Sequence, residues 1–486
     1  MRRAALIIAF AAALGLLAGC MVGPDYVRPT VDVPEAFRFD GGGTQGASDA
    51  VWWSQFGDPV LDALIAEALA NNRNVKIAAA NVEQAAGFLM TARAGLFPQV
   101  AYGGAQTRQR MSQNDATFSP LMQNPYNSLQ AFGGVSWEID LWGRVRRLTE
   151  AARASLLASV EARRGVIVSV VAETAAAYIQ LRSLDEQLAI SRRTLETYAE
   201  SVRLFELQNK YGQVNRMTVE QARTQYETAA VTIPQIETQI AETENGLCLL
   251  LGRNPGPIAR GRTVYTLAMP VVPAGLPSQL LERRPDIRQA EAALVAANAQ
   301  IGAAKALYYP TISLTGAYGR SSSELSNLWS GPSRIWSYGG SLAGPIFTGG
   351  AIAGQVKQAE AGRDAALLSY AQTIQNAFAD VDNALIARRK LEEQLAAEER
   401  RVAAFKEYDR LARLQYVGGY IPYLTVLYAE AQLFPAELSA IQTRAAAFIS
   451  LINIYKATGG GWVAAAEGAT GQGAGSGEKE GKQKAE

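Results

Sequence analysis

The chain has 486 residues, of which 48% are hydrophobic and 19% are charged, and its formal net charge is +1. A chain this close to neutral lacks the basic surface that nucleic-acid binding requires. It contains no histidine, the commonest general base and metal ligand, and its two cysteines, Cys20 and Cys248, are too few for a disulfide framework. Hydrolase and metalloenzyme functions are therefore not expected, and we predict no catalytic residue, metal site or bound cofactor.

The N-terminus has the features of an export signal. Arg2 and Arg3 precede an apolar run, 4–17, which has the length of a signal-peptide core and is too short to span a bilayer comfortably. The run ends in Leu-Ala-Gly-Cys at 17–20, which resembles the bacterial lipoprotein box, although a chance cysteine after an ordinary signal peptide would look the same. The box implies that 1–19 are removed and that Cys20 carries S-diacylglycerol and N-acyl lipid. No later stretch has the 18 or more consecutive apolar residues of a helical span, so any membrane span is expected to be β.

The rest of the chain contains an internal repeat at an offset of 207 residues. Seven residues of the first half, Leu204, Leu207, Gln208, Gly212, Thr218, Val219 and Ala222, recur identically as Leu411, Leu414, Gln415, Gly419, Thr425, Val426 and Ala429. The offset is far too long for a solenoid, and each half is predicted to run helix, β-hairpin, long helix, turn, helix. We assign 20–60 to a lipid-anchored segment, 61–251 and 279–458 to the two repeats, 252–278 to a linker and 459–486 to a disordered tail.

Two stretches, 144–210 and 351–416, are free of proline and rich in Ala, Glu, Gln and Arg, which predicts long helices. At 1.5 Å per residue each would be roughly 100 Å long, more than a globular core requires. In the first, residues at alternating steps of three and four form a coiled-coil seam, with Ser191 in its one gap: Leu181, Leu184, Leu188, Leu195, Tyr198, Val202 and Phe205. A core helix of a soluble bundle is the alternative.

Two predicted hairpins, at about 99–141 and 311–347, have strands with a period of two. Apolar and polar or small residues alternate, as Val135, Trp137 and Ile139 with Gly134, Ser136 and Glu138, and as Ile312, Leu314 and Tyr318 with Ser313, Thr315 and Ala317. This pattern is typical of a membrane barrel, and also of a half-buried strand in a soluble sheet. The segments 106–129 and 319–336 are predicted loops. Four strands are too few to close a membrane barrel, so we expect several copies to share one.

Five motifs follow one another along nearly the whole chain. They are WWSQFGDPVL at 52–61, RRPDIRQAE at 283–291, AANAQIGAAKA at 296–306, YPTISL at 309–314 and YLTVL at 423–427. Together they resemble the TolC-like outer-membrane efflux family, in particular its NodT-type lipoproteins that serve resistance-nodulation-division pumps. The resemblance implies an α+β membrane protein: a homotrimer with a 12-stranded outer-membrane β-barrel, four strands per chain, continued by a long periplasmic α-helical coiled-coil barrel.

The resemblance also implies two functional regions at the helix turns. A periplasmic adaptor, which bridges to an inner-membrane resistance-nodulation-division transporter, would dock on Tyr211, Gly212, Gln213, Val417, Gly418 and Gly419. The family's closed gate lies at the same end, and some members ring it with aspartates. The matching positions here are Thr425 and Tyr428, so the candidate constriction is tyrosine-rich: Tyr420, Tyr423, Thr425 and Tyr428. Asp380 and Asp382 are left open between a lumen position and a solvated helix face.

The sequence thus predicts a passive exit duct for drugs or other toxic small molecules, with no enzyme activity. Met21 stands where an aspartate would favour inner-membrane retention, so the lipoprotein resemblance implies sorting to the outer membrane. A periplasmic adaptor and a lipid-anchored structural coiled coil without a pore are the alternatives, and an envelope hydrolase is the weakest because histidine is absent. The exported compound is not specified by the sequence.

Overall fold

A computed structural model describes residues 21–39, 51–114, 116, 118–121, 123–270, 277–459 and 463. Its helices are α1 (Pro59–Asn71), α2 (Arg73–Ala94), α3 (Arg144–Lys210), α4 (Arg216–Leu250), α5 (Pro277–Arg283), α6 (Pro285–Ala306), α7 (Ala351–Val417) and α8 (Tyr423–Ala457). Its strands are β1 (Gln99–Gln109), β2 (Tyr126–Ile139), β3 (Thr311–Ser322) and β4 (Arg334–Ala343). Short 3-10 turns occupy Trp52–Phe56, Leu325–Asn327 and Gly331–Ser333.

The chain divides into two compact units. The sheet unit comprises the described parts of Met1–Thr30, Asn81–Ser159 and Gln289–Tyr370. The helical unit comprises the described parts of Val31–Ala80, Val160–Arg288 and Ala371–Glu486.

The prediction of two very long helices is confirmed. Helices α3 and α7 each have 67 residues, and the helices that follow them, α4 and α8, each have 35. The start of α3 is defined by Asp140, whose carboxylate oxygens accept hydrogen bonds from the backbone N–H groups of Val145 at 3.0 Å and Arg146 at 2.9 Å. These bonds satisfy donors that have no partner within the first helical turn.

Four of the seven residues in the predicted seam of α3 are buried in the helical unit, and Leu188, Leu195 and Val202 are half-buried. Leu181, Tyr198 and Phe205 are at most 3% exposed. Ser191, which interrupts the apolar series, is also buried, and its hydroxyl donates to the carbonyl of Gln187 at 2.8 Å. A buried hydroxyl costs little when its hydrogen bond is made within the helix, so the seam tolerates this position.

The motif at 52–61 forms part of the core of the helical unit. Trp52 stacks on Tyr455 with ring centroids 4.9 Å apart. Asp58 is fully buried, and its Oδ2 accepts hydrogen bonds from the Tyr178 hydroxyl at 2.8 Å and the Arg262 N–H at 2.9 Å. Its Oδ1 accepts from the Val60 N–H at 3.0 Å and so caps α1.

The strands of the sheet unit form one antiparallel sheet in the order β1-β2-β3-β4. The predicted loops 106–129 and 319–336 were too long, because strand pairing continues through residues 106–109, 126–129, 319–322 and 334–336. Polar residues such as Gln106 and Arg320 remain in the ladder, since backbone pairing does not require apolar side chains. The predicted linker 252–278 has neither helix nor strand over 252–270, and α5 already begins at Pro277.

Within the described residues, none of the helices has the length and apolar character needed to cross a membrane. The same part of the chain contains no cluster of acidic or cysteine side chains suited to a metal ion.

Candidate functional site

The sheet has two chemically different faces. Cross-strand partners share a face, so the pairing register assigns each side chain to one side. One face is apolar and aromatic: Val100, Tyr102, Val135, Trp137, Ile139, Ile312, Leu314, Tyr318, Trp336, Tyr338 and Leu342. The other is polar or small: Gln99, Ala101, Gly103, Gly134, Ser136, Glu138, Ser313, Thr315, Ala317, Ser337, Gly339 and Ser341. Phe132 and Ile335 are the bulky apolar exceptions on the polar face.

Within the described part of a single copy, much of the apolar face is left uncovered. Tyr102 is 96% exposed, Tyr338 is 82% exposed and Leu342 is 70% exposed. A contiguous apolar surface of this kind is unfavourable in water and marks contact with another apolar phase.

Both outer strands of the sheet are open. β1 pairs only with β2, and β4 pairs only with β3, among the described residues. All ten residues of β4 are exposed. Each unpaired backbone group costs several kcal/mol in hydrocarbon, so this sheet cannot stand in a bilayer without further strands on both sides.

The two predicted helix turns have the same backbone conformation. Gly212 and Gly419 adopt φ of 72° and 77°. The next residue in each turn, Gln213 or Tyr420, donates its N–H to a carbonyl five positions earlier at 2.9 Å. This is the Schellman motif, in which glycine supplies the left-handed residue that ends a helix.

The turn between α3 and α4 is closed by its own side chains. Asn209 donates its amide to the carbonyl of Val214 at 2.8 Å. Asn215 caps α4 by accepting the N–H of Thr218 at 3.0 Å. Tyr211 is 71% exposed at the outside of this turn.

The turn between α7 and α8 carries the predicted tyrosines, and the structure gives them different surroundings. Tyr420 is 84% exposed. Tyr428 is 58% exposed and packs edge-on against Tyr408, with ring centroids 6.5 Å apart. Thr425 is half-buried, and its N–H donates to the carbonyl of Pro422 at 3.1 Å.

Tyr423 is held inside the helix packing. Its hydroxyl donates to Ser201 Oγ at 3.0 Å, and its ring lies against Phe205 with centroids 4.2 Å apart. Burial raises the pKa of Tyr423 to about 12. The side chain therefore joins α8 to α3, and its role in the constriction stays a prediction.

Sequence reasoning missed a buried acidic residue near this turn. Glu430 is only 4% exposed and is paired with Arg413, whose Nε also contacts Asp409 at 3.0 Å. The second carboxylate oxygen of Glu430, Oε2, has no hydrogen-bond partner within the described part of the chain. Burial raises the pKa of Glu430 to about 7. The signal was present in the sequence, because Val426, Glu430 and Phe434 follow one another at helical steps of four on a buried face.

Glu430 borders a cavity of about 340 Å³ in the helical unit. The lining is nearly balanced in charge: Arg193, Lys406 and Arg413 with Asp409, Glu430 and Glu437, alongside Thr194, Thr197, Tyr198, Leu433 and Phe434. The Tyr198 hydroxyl donates to the backbone carbonyl of Glu430 at 3.1 Å. Helix α3 thus covers the carboxylate-bearing segment of α8.

The model of the outer membrane efflux protein family matches residues 64–253 and 276–460. The chain belongs to this family. It is 37% identical over 457 residues to the toluene efflux pump outer membrane protein TtgC of Pseudomonas putida, a match that covers 92% of this chain and 94% of TtgC. It is 35% identical over 462 residues to the cation efflux system protein CusC of Escherichia coli, covering 94% of this chain and 99% of CusC.

A solved structure gives the same assignment. The open state of the Neisseria gonorrhoeae MtrE outer membrane channel superimposes with a TM-score of 0.83 at 33% identity, covering 91% of this chain and 99% of MtrE. The resemblance found in the sequence is thereby confirmed. The chain is an outer-membrane efflux channel protein, and its family consists of efflux ducts rather than enzymes.

Asp380 and Asp382, which the sequence did not assign to the lumen or to a solvated helix face, have hydrogen-bond partners in the structure. Asp380 accepts a hydrogen bond at 2.9 Å from Arg284, a buried residue of the 283–291 motif that also donates to the carbonyl of Ala457 at 2.9 Å. Asp382 accepts the N–H of Arg38 at 2.9 Å. Both carboxylates are thus engaged within the protomer. The predicted signal peptide, Cys20 and most of the predicted tail lie outside the described residues.

Proposed function

We propose that three copies of the chain form one 12-stranded barrel, in which β1 of each copy pairs with β4 of the next. The open edges of the sheet support this arrangement, because closure removes every unpaired backbone group. The apolar face would meet lipid and the polar face would line a water-filled bore.

Neighbouring residues of β4 provide a matched test. Tyr338→Arg places a charge on the lipid face, where each arginine costs about 2–4 kcal/mol near the bilayer centre. Ser337→Arg places the same charge on the adjacent residue, which faces the bore. We expect the first variant to abolish heat-modifiable trimers and ion conductance in planar bilayers, and the second to retain both. Equal behaviour of the two variants would contradict the assignment of the faces.

The long helices would form the periplasmic part of the duct. We propose that the chain is an internal two-fold repeat, because α3 and α7, α4 and α8, and α2 and α6 have matching lengths of 67, 35 and 22 residues. Each repeat then supplies one long and one shorter helix to a coiled-coil barrel. Such a structure carries no chemistry of its own, so transport through it is passive.

The two helix turns are the proposed docking sites for a periplasmic adaptor, which bridges to an inner-membrane resistance-nodulation-division transporter. Tyr211 and Val417 support this role, since they are 71% and 83% exposed beside glycines that permit close backbone approach. A photo-crosslinking residue at Tyr211 or Val417 is expected to trap a periplasmic protein in cells. The same probe at exposed Arg389, in the middle of α7, is the control. Adducts at Arg389 alone would contradict docking at the turns.

The cargo is proposed to be small toxic molecules. The relatives are named for cargoes as different as toluene and cations, which supports a duct whose selectivity is set elsewhere. A deletion strain is expected to become sensitive to at least one class of toxic compound and to recover when the gene is restored. Recovery without ion conductance by the purified protein would favour an adaptor or a structural lipoprotein instead.

Lipid on Cys20 is proposed to anchor the protein to the outer membrane. Two or more acyl chains hold a protein at a membrane without a transmembrane helix. Metabolic labelling with a palmitate analogue is expected to mark the wild-type chain and to leave Cys20→Ser unlabelled. Labelling of Cys20→Ser would place the lipid elsewhere.

A further inference from the structure

The apolar face of the sheet ends in a pair of arginines. Arg320 of β3 lies directly opposite Arg334 of β4, and the register places both on the same face as Tyr318 and Trp336. Like charges directly opposite each other destabilise a sheet. The repulsion between the two positive charges must therefore be compensated by an anion or screened by water.

The part of the chain that the structure describes supplies no anion to this pair. Among the described residues, no carboxylate lies within ion-pair distance of Arg320 or Arg334. Glu324, the acidic residue of the loop between β3 and β4, instead accepts a hydrogen bond from the Asn327 amide at 3.1 Å. The two arginines are thus directly opposite each other in the strand pairing, and no carboxylate of the described residues neutralises either side chain.

Arg320 is nevertheless held in position. Its Nη1 donates to the carbonyl of Ser330 at 2.7 Å, and its guanidinium carbon lies 5.5 Å from the centre of the Trp329 ring. These contacts hold one side chain of the pair in place while leaving Trp329 itself 70% exposed. Because Arg320 is already held by these two contacts, it would lose less conformational entropy on binding a ligand than a freely moving surface arginine.

The position of the pair along the strand indicates what surrounds it. The four strand termini that join helices lie at one end of the sheet, and the two hairpin loops lie at the opposite end. From Ile312, at the end of the sheet that joins the helices, the apolar face continues through Leu314 to Tyr318, a distance of about 20 Å at 3.3 Å per residue. Arg320 follows about 26 Å from Ile312, which at the usual strand tilt corresponds to roughly 20 Å of height. An apolar band is about 25 Å tall, so the pair lies about 5 Å below its outer boundary, just after the aromatic side chains of Tyr318 and Trp336 and within the reach of an arginine side chain.

We propose that Arg320 and Arg334 bind a phosphate of the glycolipid in the outer leaflet of the outer membrane. This inference rests on the barrel proposed above, in which this face meets lipid and the hairpin loops face outward. Two neighbouring guanidinium groups bind one phosphate through paired N–H···O bonds, and the bound anion removes their mutual repulsion.

The neighbouring copy would enlarge the site. In the proposed barrel β4 lies next to β1 of the adjacent chain, and Arg108 near the outer end of β1 is on the same face as Tyr102. Three cations from two copies would then surround one lipid headgroup. The trimer would hold three such sites, one at each junction between copies.

The test uses the full-length trimer in detergent and native mass spectrometry, with lipid A carrying both phosphates as the probe. We expect up to three lipid A molecules per wild-type trimer, and about tenfold weaker retention by Arg320→Gln/Arg334→Gln. Lipid A stripped of phosphate should be retained weakly by both proteins. Arg389→Gln/Arg400→Gln removes the same charge from exposed positions of α7 and should behave as the wild type.

Several outcomes would overturn the proposal. Equal retention of lipid A by the wild type and the glutamine variant would show that the two arginines are solvated side chains and do not bind lipid. Equal retention of phosphorylated and stripped lipid A would exclude phosphate recognition, and full displacement by millimolar inorganic phosphate would show that a free ion is the ligand.

A second variant covers the case in which the glutamine variant does not assemble. Arg320→Lys/Arg334→Lys keeps both charges but loses the paired donor geometry, and should retain lipid A several-fold more weakly than the wild type. Retention equal to the wild type would contradict a geometric site. A wild-type protein that forms no trimer would contradict the barrel, which is distinguishable from loss of lipid binding by an intact trimer.

Discussion

The two helix turns carry equivalent ion pairs of opposite polarity. In the first half Glu206 on α3 pairs with Arg223 on α4 at 2.6 Å, and the side chains are 47% and 49% exposed. At the positions 207 residues later, Arg413 on α7 pairs with Glu430 on α8, and the carboxylate is only 4% exposed. An exposed pair contributes about 0–1 kcal/mol, whereas breaking a buried one costs about 3–5 kcal/mol. The same backbone and spacing therefore produce one solvated contact and one contact with a large energetic consequence.

The difference arises from what covers each turn. Tyr198 of α3 bonds to the backbone of Glu430, and Tyr423 bonds to Ser201 of α3, so the second turn is covered by a helix of the first half. The pair in the first turn has no equivalent cover from the described residues and remains about half exposed. This comparison teaches that the second turn is the more sensitive element of the helical unit.

Removing the positive charge of Arg413 should have the largest effect on the stability of the second turn. Arg413→Gln removes the cation that lowers the pKa of Glu430, so the buried carboxylate must either stay ionised without a partner or take up a proton, and the packing of α8 should weaken by at most about 3–5 kcal/mol at pH 8. Hydrogen exchange of the backbone amides over 423–434 measures this loss. Glu206→Gln, the substitution at the equivalent position, should change the exchange of 216–227 by less than about 1 kcal/mol. Similar effects at the two turns would show that burial does not distinguish them.

The pH dependence of the second turn should follow Glu430. Its pKa is raised from 4.5 to about 7 in the folded state, mainly by burial, so the native chain keeps a proton that the unfolded chain has lost. Stability should therefore fall as pH rises from 4.5 to about 7, by about 3 kcal/mol in total, and then level off. Exchange of 423–434, corrected for intrinsic rates, measures the slope. Glu430→Gln should flatten it, and an unchanged slope in this variant would assign the effect to another group.

The exposed tyrosines of the second turn should affect the channel rather than the fold. Tyr428→Ala removes its contact with Tyr408, worth about 1 kcal/mol, and should raise open-state occupancy about fivefold. Single-channel recording in planar bilayers measures the occupancy. Tyr211→Ala, at the other turn, should leave conductance unchanged. No increase for Tyr428→Ala would remove Tyr428 from the constriction.

The smallest expected effect concerns the cap of α4. Asn215→Ala loses a hydrogen bond to Thr218 and should destabilise the first turn of α4 by about 1 kcal/mol. Exchange of the amides of 216–219 measures it, and Asn215→Ser, which keeps a capping oxygen, should be close to the wild type. The equivalent position of the second half is Pro422, which provides no side-chain cap. A fully unaffected alanine variant would show that tertiary packing alone holds this turn.

The sequence by itself determined the elements whose signals are local. The span 144–210 was predicted as a long helix and is observed as Arg144–Lys210, since proline-free, high-propensity sequence favours a helix whatever surrounds it. The alternation along β2 and β3 specified the two faces of the sheet, and Gly212 and Gly419 specified the turns.

Only the tertiary structure decided which polar side chains are buried. Glu430 is covered by Tyr198, 232 residues away, and the buried Arg284 engages Asp380, 96 residues away. Tyr423 likewise faces α3 instead of standing free. Burial depends on packing between distant segments, so a pattern within one helix indicates a buried face but not the partner that covers it.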